Sequence, residues 1–161
     1  KQCIRKHGCA VSLTGRVREF PEIWSEDNRA INKALRAGCN HLIQSTASDM
    51  MLTALTAIEY LMREAGLESM LVSTVHDSLV IDAVRSELEQ VHQICDSVLN
   101  NIPEVMSILF GDGYDASWLS ILPFTGDFDL GLNYHDIIKV PQAPDWTELL
   151  HRLDNPALTS H

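Results

Sequence analysis

His76 and Asp77 stand side by side in the middle of a stretch of strand-forming apolar residues, MLVSTVHDSLVIDA, which covers residues 70–83. A carboxylate is costly to bury inside a strand unless it has a partner. At the tip of a hairpin, however, Asp77 remains ionised, and two flanking strands hold it rigidly enough to bind a metal ion. Two interpretations stay open: a metal-binding hairpin tip, or a simple turn formed by Asp77 with His76 packed beside it.

One aspartate is not sufficient for a catalytic pair of Mg²⁺ ions, which usually requires a second carboxylate and the phosphates of the substrate. A metal-binding role for Asp77 therefore implies ligands from elsewhere. A metal phosphohydrolase that uses the His-Asp doublet is an alternative, but those enzymes carry the doublet on helices and need further His and Asp ligands. The strand-like runs on both sides of the doublet argue against that class.

Three hydrogen-bonding side chains, Arg36, Asn40 and Gln44, recur at every fourth position. This spacing advances by about 40° per step around an α-helix, so the three side chains line one face, which we call the polar stripe. Arginine contacts phosphates or base edges, whereas asparagine and glutamine reach hydrogen-bond acceptors in the minor groove of DNA. The polar stripe is therefore either a solvated helix face or a nucleic-acid-binding surface.

The elements that position these residues are predicted from local patterns. Apolar and polar residues alternate around Thr14-Gly15 and predict a short hairpin that ends at Pro21. From about Ser25 the pattern is helical, with capping residues at the start and an apolar face behind them.

This helix is predicted to be interrupted. Gly38 and the pair Ser45-Thr46 weaken it, and Thr46-x-x-Asp49 resembles a capping box that starts a second helix. Gly66 then provides a natural stop signal. The polar stripe would thus lie on the first helix of a pair.

The second half of the chain begins with two strand-like runs joined by a turn of three residues, which fits a tight antiparallel hairpin. The pattern then predicts a helix, an irregular segment, a strand and a tail with one short helix. The strand-like runs cover residues 71–75 and 79–83, and the helix covers residues 86–101. The irregular segment covers residues 103–122, the strand covers residues 123–130 and the tail helix covers residues 146–153. The predicted fold class is α+β, with an antiparallel sheet, a catalytic β-hairpin and helices packed on one face.

Charge is unevenly distributed along the 161 residues, which carry a net charge of −10. Residues 1–36 hold eight Lys/Arg against four Asp/Glu, so that segment is +4 and the remainder is −14. The overall balance argues against autonomous nucleic-acid binding, but a basic front end is compatible with phosphate contact there.

Four scattered cysteines predict reduced thiols and a cytoplasmic setting, and no apolar run reaches the roughly 18 residues of a membrane span. The first residue is not methionine and no signal-peptide pattern follows it, so a fragment of a longer chain is one interpretation.

Taken together, the two candidate groups lie in stretches that resemble the C-terminal palm segment of family A DNA polymerases, the group of bacterial DNA polymerase I and many phage replicases. The resemblance runs from about residue 8 to residue 136, and four stretches carry it in the order of the family. They are LTGRVREFPEI, RAGCNHLIQSTASDMM, STVHDSLVID, which resembles the family's motif C, and PFTGDFDLGLNY, with Asp127, Gly131, Asn133 and Tyr134 in register.

The resemblance implies phosphoryl transfer from deoxynucleoside triphosphates to a primer, supported by two Mg²⁺ ions. Asp77 matches the metal-binding aspartate of motif C, and His76 matches a histidine that lies near the primer terminus. The polar stripe matches residues that contact primer-template DNA, mainly in the minor groove. Arg16 and Arg18 match positions that contact the DNA backbone.

The resemblance is also incomplete. Ser78 replaces the glutamate that usually follows the motif C aspartate, and Ser45 replaces a glycine. The second metal-binding aspartate and the fingers helix that binds the incoming nucleotide lie upstream in the family, so a separate or preceding polymerase half is implied as a partner. The isolated chain is therefore predicted to be inactive.

The predicted organisation is a palm segment over residues 1–136 and a C-terminal extension over residues 137–161 with a short docking helix. The predicted setting is the cytoplasm, that of the host if a phage encodes the chain. A non-catalytic DNA-binding module that keeps the palm shape remains the alternative.

Overall fold

The fold is organised around one long helix, as described by a computed structural model that covers residues 1–111, 113–121 and 123–155. Five α-helices and six β-strands lie within these ranges. The helices are α1 Gln2–His7, α2 Asn28–Glu64, α3 Leu88–Asn100, α4 Ile102–Phe110 and α5 Trp146–Asp154. The strands are β1 Cys9–Val11, β2 Val17–Glu19, β3 Met70–Val75, β4 Ser78–Asp82, β5 Phe128–Gly131 and β6 Ile137–Val140.

Helix α2 runs for 37 residues without the predicted interruption. Its start and end follow the local signals: the Asp27 carboxylate accepts a hydrogen bond from the Arg29 amide at 2.8 Å, and Gly66 follows the helix with φ 69°. The Leu67 amide then donates to the Met62 carbonyl at 3.1 Å, which completes a glycine-type C-terminal cap.

The predicted second helix start at Thr46 is wrong, because the two residues of the apparent capping box are engaged elsewhere. The Thr46 hydroxyl donates to the Leu42 carbonyl one turn back at 2.7 Å, and the Asp49 carboxylate accepts from side chains of the β1–β2 loop. Gly38 lies where a Cβ would come within 2.5 Å of the Ile4 side chain, so it permits close packing and does not break the helix.

The strands form three separate two-stranded antiparallel sheets, β1–β2, β3–β4 and β5–β6. The α+β class with antiparallel strands is therefore confirmed. The β3–β4 turn contains two residues, one fewer than predicted, because Ser78 already pairs with Val75.

The main core lies between the second half of α2, helices α3 and α4, and the inner face of the β3–β4 hairpin. Ala54, Ile58 and Met106 are fully buried in it. The prediction of an irregular segment over residues 103–122 is wrong at α4 and at a short 3₁₀ helix, Ser117–Ile121. Pro103 occupies the first turn of α4, where proline is tolerated because the missing amide has no helical partner.

A second, smaller core joins the front of the chain to the first half of α2. It contains Ile4 of α1, Ala10 of β1, Phe20 and Ile23, which pack against Ala34 and Leu35 of α2. The predicted hairpin around Thr14-Gly15 is confirmed as β1–β2.

The C-terminal helix α5 is confirmed, and it packs on the β5–β6 hairpin through Ile138, Leu149 and Leu153. The predicted strand over residues 123–130 is shorter than expected, and β6 was not predicted. Because β5 pairs with β6, the predicted palm segment and the predicted extension meet within one hairpin. Their division at residue 136 stays a prediction. None of the described helices is both long and apolar enough to cross a membrane.

Candidate functional site

The tip of the β3–β4 hairpin is formed by His76 and Asp77 alone. His76 has φ 56°, the positive value that tight hairpin turns need at their first central position. Asp77 is exposed, and its carboxylate accepts no hydrogen bond from any residue that the structure describes. The turn therefore presents an uncommitted carboxylate to solvent on two paired strands.

The base of the hairpin is closed by a small polar network. The Glu87 carboxylate accepts hydrogen bonds from the Glu68 amide at 3.1 Å, the Ser69 amide at 2.9 Å and the Ser69 hydroxyl at 2.6 Å. The Ser69 Oγ in turn accepts from the Val84 amide at 2.9 Å. The hydrogen bond from the Ser69 hydroxyl is the main cause that lowers the pKa of Glu87 below its ordinary value of 4.5. This network ties the residues before β3 to those after β4.

Glu87→Gln is expected to remove a pH-dependent part of the stability of the fold. Because the pKa of Glu87 is lowered in the folded protein, its stabilisation is present above the ordinary value of 4.5 and is lost as the pH falls through the folded value. The unfolding midpoint, followed by circular dichroism from about pH 7 to about pH 3, should fall less steeply for Glu87→Gln than for the unaltered chain. Glu68→Gln, an exposed neighbour, serves as the control. Equal slopes for all three proteins would contradict the role of this network.

The hairpin packs its inner face against one side of α2. Leu71, Leu79 and Ile81 contact the main core, to which α2 contributes three buried residues that we call the core row. The core row consists of Ala54, Ile58 and Met62. This row marks the side of α2 that faces the main core, and the hairpin packs on the same core.

The polar stripe lies on the same side of α2 as the core row. Each stripe residue precedes one core-row residue by 18 positions, as Arg36 precedes Ala54, and 18 residues make about five turns of α-helix. The three stripe side chains are exposed, and none makes a hydrogen bond or ion pair with another described residue. One side of α2 is thus a free polar surface in its first half and a core contact in its second half.

The opposite side of α2 holds the β1–β2 loop through Asp49, which is 7% exposed. Its carboxylate accepts hydrogen bonds from the Thr14 hydroxyl and from the Arg16 guanidinium. Asp49 follows Asn40 by nine positions, a rotation of about 180°. Arg16 is therefore anchored on the side away from the polar stripe, although its side chain is 55% exposed. Its contact with DNA stays a prediction.

Two further residues of α2 hold the same loop, and sequence reasoning missed them. His41 Nε2 donates to the Arg16 carbonyl at 3.2 Å, which leaves Nδ1 to accept from the Ser45 hydroxyl at 2.7 Å. The Leu13 amide donates to the Thr46 hydroxyl at 3.3 Å. With Asp49, these residues form what we call the loop clasp: His41, Thr46 and Asp49. The signal available in the sequence was the recurrence of polar residues on an otherwise core-facing side of the helix.

The metal-binding potential of the site rests on Asp77. Within the described ranges, no group of three or more His, Cys, Asp or Glu side chains is arranged to hold a metal ion. The exposed Asp77 carboxylate is a hard oxygen ligand of the kind that Mg²⁺ accepts alongside water and substrate phosphates. It fits one position of a divalent-cation site.

The fold resembles the polymerase domain of a DNA-synthesising enzyme. It matches the structure of the POL domain of Pol1 from M. smegmatis in complex with DNA primer-template and dNTP, with a TM-score of 0.60 and 29% sequence identity. The match covers 63% of this chain and 18% of the mycobacterial chain.

Sequence comparison gives the same class. The chain is 32% identical over 139 residues to a DNA polymerase of Bacillus phage SP01, which covers 86% of this chain. It is 34% identical over 93 residues, 58% of its length, to DNA polymerase I of Pseudomonas aeruginosa. Residues 1–112 match the sequence profile of DNA polymerase family A. The chain therefore belongs to DNA polymerase family A.

The predicted family is confirmed, but the chain spans only a small part of the relatives it matches. It corresponds to 14% of the length of the phage polymerase and 10% of that of the Pseudomonas enzyme. Members of the family generally use divalent metal ions.

Proposed function

We propose that this chain is the C-terminal palm portion of a DNA-directed DNA polymerase and that it acts together with an upstream half. In the proposed reaction, the 3′-hydroxyl of a primer attacks the α-phosphate of a deoxynucleoside triphosphate and pyrophosphate leaves. The proposal places this activity in the cytoplasm of a bacterial or phage-infected cell. Family membership of residues 1–112 supports the reaction class.

One observation carries the proposal: the exposed Asp77 lies on a hairpin that packs on the main core, and the unpaired polar stripe lies on the side of α2 that faces this core farther along the helix. Asp77 lies at the tip of that hairpin, and the polar stripe continues the core row toward the start of the helix.

Asp77 is proposed to hold Mg²⁺ at the site of nucleotidyl transfer. The metal ions of such a site activate the attacking hydroxyl and stabilise charge on the leaving pyrophosphate. The second carboxylate is assigned to the upstream half, because the described residues hold no group of three or more His, Cys, Asp or Glu side chains that could bind a metal ion. His76, beside it in the turn, is proposed to position the primer terminus.

The polar stripe is proposed to contact the primer-template duplex. Asn40 and Gln44 donate hydrogen bonds to minor-groove acceptors, whose positions are nearly the same in all correct base pairs. Such contacts test the geometry of a pair without reading its sequence. Arg36 is proposed to bind a phosphate or a base edge at the start of the stripe.

The proposal is tested in the complete polymerase that contains this segment, with Asn40→Ala and Gln44→Ala. Each variant lacks one minor-groove hydrogen bond, so primer-template affinity is expected to fall by about 1–3 kcal/mol, roughly 5- to 150-fold. Discrimination against a mismatched primer terminus should fall as well. Gln90→Ala, an exposed amide on α3, is the control.

The result also separates catalysis from simple binding. If the stripe variants bind and extend DNA like the unaltered enzyme, the proposed interface is wrong. If they bind DNA more weakly but the unaltered polymerase shows no Mg²⁺-dependent primer extension, the non-catalytic module is the better description.

A further inference from the structure

Two cations continue the polar stripe toward the start of α2. Arg29 and Lys33 precede Arg36 by seven and three positions, and both side chains are exposed. At about 100° per residue, the row from Arg29 to Gln44 stays within roughly a quarter of the helix circumference. With a rise of 1.5 Å per residue, the row is about 22 Å long. We call Arg29, Lys33 and Arg36 the basic row.

The basic row has no electrostatic partner among the residues described. Three other arginines are paired: Arg16 contacts Asp49, Arg63 contacts Glu59 at 2.7 Å, and Arg85 contacts Asp154 at 2.6 Å, whereas Arg5, Arg18 and Arg152 form no ion pair among the described residues. The basic row makes no side-chain hydrogen bond or ion pair, although acidic residues outnumber basic ones by 22 to 12 in the chain. Three unpaired cations on one face of an acidic chain are well placed to bind an anion from outside it.

The position of the basic row near the start of the helix also indicates that it binds an anion. The positive end of a helix dipole is destabilised by nearby cations, yet Arg29 lies in the first turn, which contains no acidic residue. Asp27, which caps the helix, is the nearest counter-charge along the sequence, and its side chain bonds the Arg29 amide and not the guanidinium. The first turn of α2 thus carries a cation that the helix dipole disfavours and that no described acidic side chain compensates, which indicates a binding role.

We propose that Arg29 and Lys33 bind consecutive backbone phosphates of the duplex whose minor groove the polar stripe contacts. This inference rests on the proposed function and extends its DNA surface beyond the three stripe residues. A row of about 22 Å corresponds to roughly six base pairs at 3.4 Å per pair. Asn40 and Gln44, at one end of the row, test the geometry of the minor groove. Arg29 and Lys33, at the other end, bind the DNA backbone without regard to sequence.

The test is salt-dependent DNA binding by the complete polymerase carrying both Arg29→Gln and Lys33→Gln. The slope of log affinity against log salt concentration is expected to become shallower by about 1.8, or 0.9 for each phosphate that the protein no longer neutralises. Affinity should fall equally for all DNA sequences, and the turnover number at saturating DNA should not change. The control, Arg63→Gln with Lys139→Gln, removes the same charge from other surfaces and should leave the slope unchanged.

Shortening the duplex provides a second readout. When the duplex is too short to lie under the basic row, the double variant and the unaltered enzyme should bind it equally. Persistence of the full difference on such a short duplex would overturn the assignment to backbone phosphates.

The outcomes separate this inference from the proposed function. If Asn40→Ala weakens DNA binding while the double variant keeps the normal salt slope, only the basic-row assignment fails. If neither affects DNA binding, the proposed interface fails with it. If the double variant lowers the unfolding midpoint of the DNA-free polymerase and leaves the slope unchanged, the basic row binds an acidic protein surface, which also overturns the assignment.

Discussion

Asp77→Ala is expected to lower the turnover number of the complete polymerase by about 1,000-fold, which corresponds to about 4 kcal/mol of transition-state stabilisation. The physical reason is the loss of the carboxylate that we propose to hold Mg²⁺ where charge develops on the transferred phosphate. Because Asp77 is exposed at a two-residue turn and accepts no hydrogen bond from the described residues, its removal leaves nothing unsatisfied in the fold. Primer-template affinity measured without divalent ions should therefore stay within a few-fold of normal.

The measurement is single-turnover primer extension over a range of Mg²⁺ concentrations. Asp82→Ala removes an exposed carboxylate from the other end of the same hairpin and is the matched control. A decrease of similar size in the Asp82 variant would indicate a general charge effect, and near-normal extension by the Asp77 variant would remove the metal assignment altogether.

Asp49→Ala is expected to release the β1–β2 loop from α2 at a cost of about 2 kcal/mol. The change deletes a buried carboxylate that accepts from both Thr14 and Arg16, and it leaves their donors without this partner. We place the cost below that of a fully buried ion pair because the Arg16 side chain is 55% exposed and is partly compensated by water.

Hydrogen exchange reports this release locally. The Leu13 amide, which donates to Thr46 within the loop clasp, should exchange roughly 30-fold faster in the Asp49 variant. Amides in the second half of α2 should keep their normal protection, because the main core there is untouched. Asp129→Ala, at an exposed position on β5, should change neither set. Uniform loss of protection along the whole chain would show that Asp49 supports the global fold and not the loop alone.

Elements with signals in adjacent residues could be predicted from the sequence. The Asp27 cap, the Gly66 stop and the hairpin around His76-Asp77 all depend on residues within a few positions of one another. The physical preferences of caps and turns are local, so they are readable without knowledge of the tertiary structure.

Elements decided by distant partners were missed. Thr46 and Asp49 form an apparent capping box in the sequence, but their partners Leu13 and Thr14 lie more than 30 positions earlier. Helix α4 was missed because residues 103–122 were predicted to be irregular, although Pro103 lies in the first turn of the helix, where proline leaves the helical hydrogen bonds intact.

The candidate site, too, could be predicted only in part from the sequence. The four-residue spacing of the polar stripe is visible in the sequence. That the stripe lies on the side of α2 that faces the main core farther along the helix follows only from the burial of the core row, because the buried side of this helix changes along its length. The anchoring of Arg16 on the opposite side was equally invisible, since its partner Asp49 lies 33 positions away.

Because α2 is unbroken, a small tilt at one end of the helix produces a displacement at the other end. The polar stripe lies about 27 Å from the core row along one rigid axis, so a tilt of only about 2° at the packed end shifts the exposed end by about 1 Å. Displacements of that size are enough to cost an enzyme up to about 100-fold in rate when they misalign reacting groups. Small changes in packing around Ile58 or Met62 are therefore expected to alter the accuracy of copying.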